Sequence, residues 1–231
     1  AMDLARETYK EDIAFHKFIQ YQFFKQWYQL KAYANEQGIS IIGDLPIYTD
    51  ADSVEVWAHP ELFELNVLNR PAEVAGCPPD CFSATGQLWG NPVYRWKQHR
   101  VTGYAWWIHR LGYVSKLFDM VRIDHFRGFE SYYSIPAKKE TAEHGTWMPG
   151  PGLELFQAAQ QKLGELNILA EDLGNITPQV RKLLAETGYP GMKVLQFAFD
   201  SDADNEFLPH NYTTSHCVVY TGTHDNDTLL R

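Results

Sequence analysis

Asp44, Asp124, Glu171 with Asp172, and Asp225 each stand at or just after the end of a short apolar run. A single acid in such a place is commonly a helix N-cap or a loop residue. Several acids facing one mouth are different, because like charges repel and lose solvation there. Arg122 precedes Asp124 by two residues, which puts both on one side of a strand. That guanidinium is expected to hold Asp124 ionised. Glu171 has no such neighbour, and an apolar setting would raise its pKa. Two carboxyls tuned apart suit a nucleophile and a general acid. Two chemistries use such a set: metal-assisted enolisation and glycosyl transfer. The first weakens where Gln196-Phe-Ala-Phe199 offers no acid before Asp200, and no Lys or His base is evident on a later strand. The second gains from an aromatic content of 14%, since flat rings stack on sugars as well as filling cores.

The elements that must position these acids follow from spacing. Ile13, His16, Ile19, Phe23, Trp27 and Leu30 recur at helical steps, predicting a helix over 3–37 that Gly38 ends. Apolar runs at 39–48, 120–126, 167–172, 192–199 and 217–222 predict five strands. Helices are expected at 104–118, 152–163 and 178–187, the last opened by Thr177-Pro178. Later strands start about 25 residues apart, a natural length for a parallel β/α unit. The runs are near-continuous, as when helices cover a parallel sheet. No Gly-x-Gly-x-x-Gly marks a dinucleotide fold. The expected class is α/β, a partial (β/α)8 TIM-type barrel with about five of its eight strands and a long irregular insertion. Residues 1–48 supply a barrel helix and strand, 49–102 an inserted subdomain over the active site, and 103–231 further β/α units.

A formal net charge of −9 argues against nucleic acid as a partner, and no apolar run reaches the roughly 20 residues of a membrane span. Cys77, Cys81 and Cys217 are an odd set with no second ligand pair, so reduced thiols and no metal are expected. No cofactor is called for. No charged-then-apolar leader precedes the first helix, so a cytoplasmic location is the expectation.

Seven motifs together resemble amylomaltase, the 4-alpha-glucanotransferase or disproportionating enzyme of the alpha-amylase clan. They are Gly43-Asp-Leu-Pro-Ile-Tyr48, Asp52-Ser-Val-Glu-Val-Trp57, the segment from Pro78 to Pro92 with Gly86-Gln-Leu-Trp-Gly90, Val121-Arg-Ile-Asp-His-Phe-Arg-Gly128, Ala170-Glu-Asp-Leu-Gly174, Pro190-Gly-Met-Lys-Val-Leu-Gln-Phe197 and Thr221-Gly-Thr-His-Asp-Asn226. They occur in the family's order from about Gly38 onward.

The resemblance implies roles. Asp124 matches the nucleophile that forms a covalent glycosyl-enzyme, Glu171 the general acid/base, and Asp225 the acid that grips sugar hydroxyls. Arg122 and His224 match residues that hydrogen-bond the nucleophile and the reacting glucose. Trp89 matches an aromatic on a loop over the acceptor side, and Asp44 a supporting acid at the mouth. Trp57, Phe82 and Trp96 are further stacking candidates; their alternative is to pack the subdomain's own core. Cys81 stands where the family often has Tyr, which puts a contact at that position in doubt. The implied partners are maltooligosaccharide or alpha-glucan donors and acceptors. The sequence sets no oligomeric state, although open sheet edges favour association. With five strands and the third acid near its end, the chain is expected to be the middle of a longer enzyme and weakly active alone. An alpha-glucan hydrolase of the same clan and a non-catalytic glucan-binding fragment are the alternatives.

Overall fold

A computed structural model describes residues 2–80, 83–199 and 201–228. Cys81, Phe82 and Asp200, named above, lie outside the described residues. The chain runs α1 (Met2–Thr8), α2 (Lys10–Glu36), β1 (Ile42–Pro46), α3 (Val54–Ala58), β2 (Glu73–Cys77), β3 (Gln87–Pro92), α4 (Trp96–Val101), α5 (Ala105–Leu117), β4 (Met120–Asp124), β5 (Ser131–Pro136), β6 (Thr146–Pro149), α6 (Leu153–Leu163), β7 (Ile168–Ala170), α7 (Pro178–Thr187), β8 (Gly191–Val194) and β9 (Cys217–Tyr220). The helix expected over 3–37 is two, because Tyr9 leaves helical geometry (φ −106°, ψ 25°). Gly38 takes φ +74° just past α2, and the Ile39 N–H then returns to the Ala34 carbonyl at 2.9 Å, closing the helix end.

β1, β4 and β7 form one parallel sheet in that order, and β8 and β9 pair in parallel beside it. The Ala170 N–H reaches the Pro190 carbonyl at 2.9 Å, linking β7 to the start of β8. β7 is buried along its whole length and β8 nearly so, as the apolar runs suggested, whereas β1 and β4 alternate. Leu45, Val121 and Ile123 point into a core shared with α5 and α6, while Asp44, Arg122 and Asp124 occupy the opposite face. The fourth strand is also shorter than expected. It stops at Val194, and Leu195–Phe199 turns into a 3-10 helix.

The region 49–102 is less irregular than the sequence suggested. It carries β2 and β3, which join β5 and β6 in an antiparallel sheet of order β3-β2-β5-β6. Two segments far apart in sequence thus build one sheet above the strand ends. Beneath it lies an aromatic core of Phe63, Tyr94, Tyr104, Trp107, Phe126 and Phe129. Arg110 and Tyr94 anchor the mouth end of β1 from this core. Arg110 donates to the Pro46 and Ile47 carbonyls at 2.8 and 3.0 Å, and the Tyr94 hydroxyl donates to Ile47 at 2.6 Å.

Gly43 sets how closely β1 approaches the Phe118 ring, since a Cβ at this position would collide with that ring. Phe118 cannot easily yield, because it is itself packed edge-on against Trp27 at 5.4 Å. Gly43→Ala is therefore expected to lower stability by about 1–3 kcal/mol, read from urea unfolding midpoints. An unchanged midpoint would refute this packing constraint.

Candidate active site

Register brings the acids together. Asp44 pairs with Arg122 and Pro46 with Asp124 across β1 and β4, and Ile123 pairs with Ala170 across β4 and β7. Glu171, one residue beyond Ala170, is therefore level with Asp124 on the neighbouring strand. Its N–H confirms the row by donating to the Ile123 carbonyl at 3.0 Å. Adjacent strands lie about 4.8 Å apart, and residues in one row leave the sheet on one side.

One guanidinium is divided between two acids. Arg122 Nη1 donates to Asp44 Oδ1 at 2.7 Å and Nη2 to Asp124 Oδ1 at 2.8 Å. The sequence suggested that Arg122 would hold Asp124 ionised and that Asp124 and Glu171 would be pushed in opposite directions. Instead burial is the largest influence and raises it; Arg122 lowers it only in part, and the charges of Asp44 and Asp225 raise it further. Glu171 is raised more, to about 7. Burial dominates there too, followed by the N–H of Leu173, which lowers it, and the charge of Asp124, which raises it. Its carboxylate is held by two backbone donors: Leu173 N–H to Oε1 at 2.7 Å and His125 N–H to Oε2 at 2.8 Å. So the two acids are not pushed in opposite directions. Both rise, and Glu171 rises further.

A cavity of about 340 Å³ opens beside Asp124, lined by Pro46, Ile47, Tyr48, Trp89, Asn91 and His125. Trp89 enters from β3. Its ring meets the His125 ring edge-on at 4.8 Å and lies 6.1 Å from Tyr48, and its Nε1 donates to Gln87 Oε1 at 3.0 Å. A second cavity, about 310 Å³, is bounded by Asp44 and Arg122 on one side and by Tyr220, Thr223 and His224 on the other. The loop after β9 therefore faces back toward β1, as in a curved sheet. His224 and Asp225 are exposed there, 3.5 Å apart.

Not every candidate joins this site. Trp57 is 76% exposed on α3 and borders a separate hollow with Val54, Pro60 and Asn69. Trp96 packs among Tyr94, His99, Trp107 and Phe129, so its ring serves the core. Sequence reasoning gave no place to Tyr48 and His125. Both sit inside quoted motifs, but no spacing signal marks the packing that puts them in this cavity.

A family model described as 4-alpha-glucanotransferase matches residues 1–231. The chain is 56% identical over 231 residues to a 4-alpha-glucanotransferase of Thermus thermophilus, covering 100% of this chain and 46% of that one. It is 51% identical over 225 residues to the Clostridium butyricum protein of the same name, covering 97% and 46%. Among solved structures, amylomaltase from Streptococcus agalactiae in complex with acarbose superposes with a TM-score of 0.92 at 50% identity, over 96% of this chain and 45% of that one. The chain spans just under half the length of the curated relatives it matches.

Glu171 also makes stability depend on pH. Its folded pKa of about 7 exceeds the ordinary glutamate value of 4.5, so the folded state keeps a proton that the unfolded state releases. Stability is full below about pH 4.5 and falls as pH rises through 7. Between pH 5 and 8 the loss is expected to be roughly 2–3 kcal/mol, and Glu171→Gln should abolish this part of the slope. Equal slopes in urea unfolding of the two proteins would refute the burial argument.

Proposed function

Because this chain belongs to the 4-alpha-glucanotransferase family, we propose that it supplies the catalytic centre of an enzyme moving 1,4-alpha-glucan segments to a glucose or glucan acceptor. The observation that carries the reading is the shared row of Asp124 and Glu171, with Glu171 buried and raised to about 7. Retaining glycosyl transfer needs two carboxyls about 5–5.5 Å apart, a spacing that neighbouring strands provide.

In the first half-reaction an Asp124 oxygen attacks the anomeric carbon. The glycosidic bond breaks, and Glu171 gives its proton to the departing oxygen. In the second, an acceptor hydroxyl attacks the same carbon, its proton passes to Glu171, and the bond to Asp124 breaks. A group poised near neutrality serves both directions of that proton transfer. Arg122 fixes the attacking carboxylate, and Asp44 fixes Arg122. Asp225 and His224, on the loop facing this row, hold sugar hydroxyls. Trp89, over the Asp124 cavity, offers an acceptor glucose a ring to stack on and covers the covalent intermediate against water. Taken as an arc of a (β/α)8 barrel, the parallel strands would carry these acids at a C-terminal mouth, where barrel enzymes do their chemistry. The antiparallel sheet forms the wall above that mouth. The reaction as drawn needs no metal or cofactor.

Full-length protein given maltotriose is expected to release glucose and build oligosaccharides longer than the substrate. Reducing ends without longer products would identify a hydrolase instead. Asp124→Ala should cut turnover by roughly 10⁴-fold or more while glucan binding persists. Activity surviving that change would refute the assignment of Asp124 as nucleophile.

A further inference from the structure

The chain turns sharply just after Asp124. His125 has φ +53°, in the left-handed region, which a residue with a Cβ seldom adopts without cause. In an extended strand successive N–H groups point to opposite sides. Here two successive N–H groups converge on one partner. His125 N–H donates to Glu171 Oε2 at 2.8 Å, and Phe126 N–H donates to the Glu171 carbonyl at 3.1 Å. Convergent donors of this kind arise when a left-handed residue rotates the peptide that follows it.

The imidazole itself has no such partner. Its Nε2 is buried without a hydrogen bond among the described residues, and burial, then the charge of Arg127, lowers its pKa to about 3. The ring is thus neutral across the working range, and its contact is the edge-on one with Trp89. Proton transfer by this side chain does not account for the strained backbone, whereas the aim of its N–H does.

We propose that His125 is a positioning residue whose left-handed turn, rather than its imidazole, holds the Glu171 carboxyl in place against the nucleophile strand. The inference rests on the reading of Glu171 as the acid/base and adds to it the element that orients that group. An N–H donor stabilises the carboxylate form and so lowers its pKa. The groups that face Glu171 and share this influence are Asp124 and Arg122 on β4, Leu173 N–H in its own loop, and Cys77 on β2. None of these groups is itself replaced by a substitution at position 125.

The test compares wild type, His125→Gly and His125→Val in the full-length protein. Glycine accepts the left-handed turn and loses the ring; valine keeps bulk but resists the turn. The basic limb of the kcat/KM profile for maltotriose disproportionation reports the acid in the free enzyme. It is expected to stay at the wild-type pH in His125→Gly and to move up by half a unit or more in His125→Val. Should the valine variant not fold, His125→Ala, which tolerates the turn less well than glycine, is read the same way. A limb shifted as far by glycine as by valine, or left in place by both non-glycine variants, would overturn the proposal. Carbon-13 titration of the Glu171 carboxyl in the same proteins reads the same shift without turnover. An inactive wild type would then count against the transferase reading alone.

Discussion

Carboxyl groups crowd one end of the parallel sheet, and the Arg122 guanidinium between Asp44 and Asp124 is what makes the crowding tolerable. The carboxylates of Asp44 and Asp124 would otherwise repel at short range. Arg122 is nearly buried, with 12% of its side chain exposed, and spends one nitrogen on each acid. Planar, forked donors suit that shared geometry in a way an ammonium would not. Glu171 is accommodated by a different means. It is 9% exposed and has no ion pair among the described residues; two backbone donors hold it, and burial favours its protonated form. An ion pair thus holds the acids of β1 and β4, whereas burial and two backbone N–H groups set the state of the one just after β7.

The acid-bearing strand ends are held from behind. Arg110 and Tyr94 grip the carbonyls at the end of β1. Asp172 follows Glu171 and accepts from the Met192 N–H at 2.7 Å, tying β7 to β8. A Cβ on Gly191 would lie 2.6 Å from the Asp172 carboxylate, so this contact needs glycine there. Arg127 donates to the Asn175 carbonyl at 2.6 Å and to Ser131 Oγ at 2.9 Å, with its guanidinium 3.8 Å from the Trp147 ring centroid. It thereby joins the loop beyond Glu171 to the antiparallel sheet. Three of the acid positions are thus braced on β1, β4 and β7, while His224 and Asp225 stand exposed on the loop after β9. That division suits the proposed reaction, in which braced groups would react and exposed ones would hold the sugar.

The aromatic excess serves two ends that composition cannot separate. Trp96 and Trp107 stack 6.2 Å apart inside the core. Trp89, one strand earlier in the chain, lines the cavity beside Asp124. The two environments differ because β3 belongs to the antiparallel sheet at the mouth, whereas α4 turns back beneath it. Membership of the same tryptophan-rich stretch says nothing about which ring ends in which place.

The sequence alone determined whatever depends on near neighbours. Helical spacing marked α2, α5, α6 and α7, and Thr177 caps α7 as its type predicts, accepting from the Val180 N–H at 3.3 Å. Apolar runs located β1, β4, β7, β8 and β9, and with them Asp44, Arg122, Asp124, Glu171 and Asp225. Tertiary structure alone decided what distant segments do to one another. β6 is exposed along its whole length and β3 is rich in Gly, Asn and Pro, so neither carries a strand pattern of its own. Each becomes a strand because β2 or β5 supplies its hydrogen-bond partners. The same limit applies to charge. Arg122 is visible beside Asp124 in the sequence, but the burial that outweighs it comes from the folded surroundings. Spacing is a local property of the chain; burial and strand pairing belong to whatever the fold brings alongside.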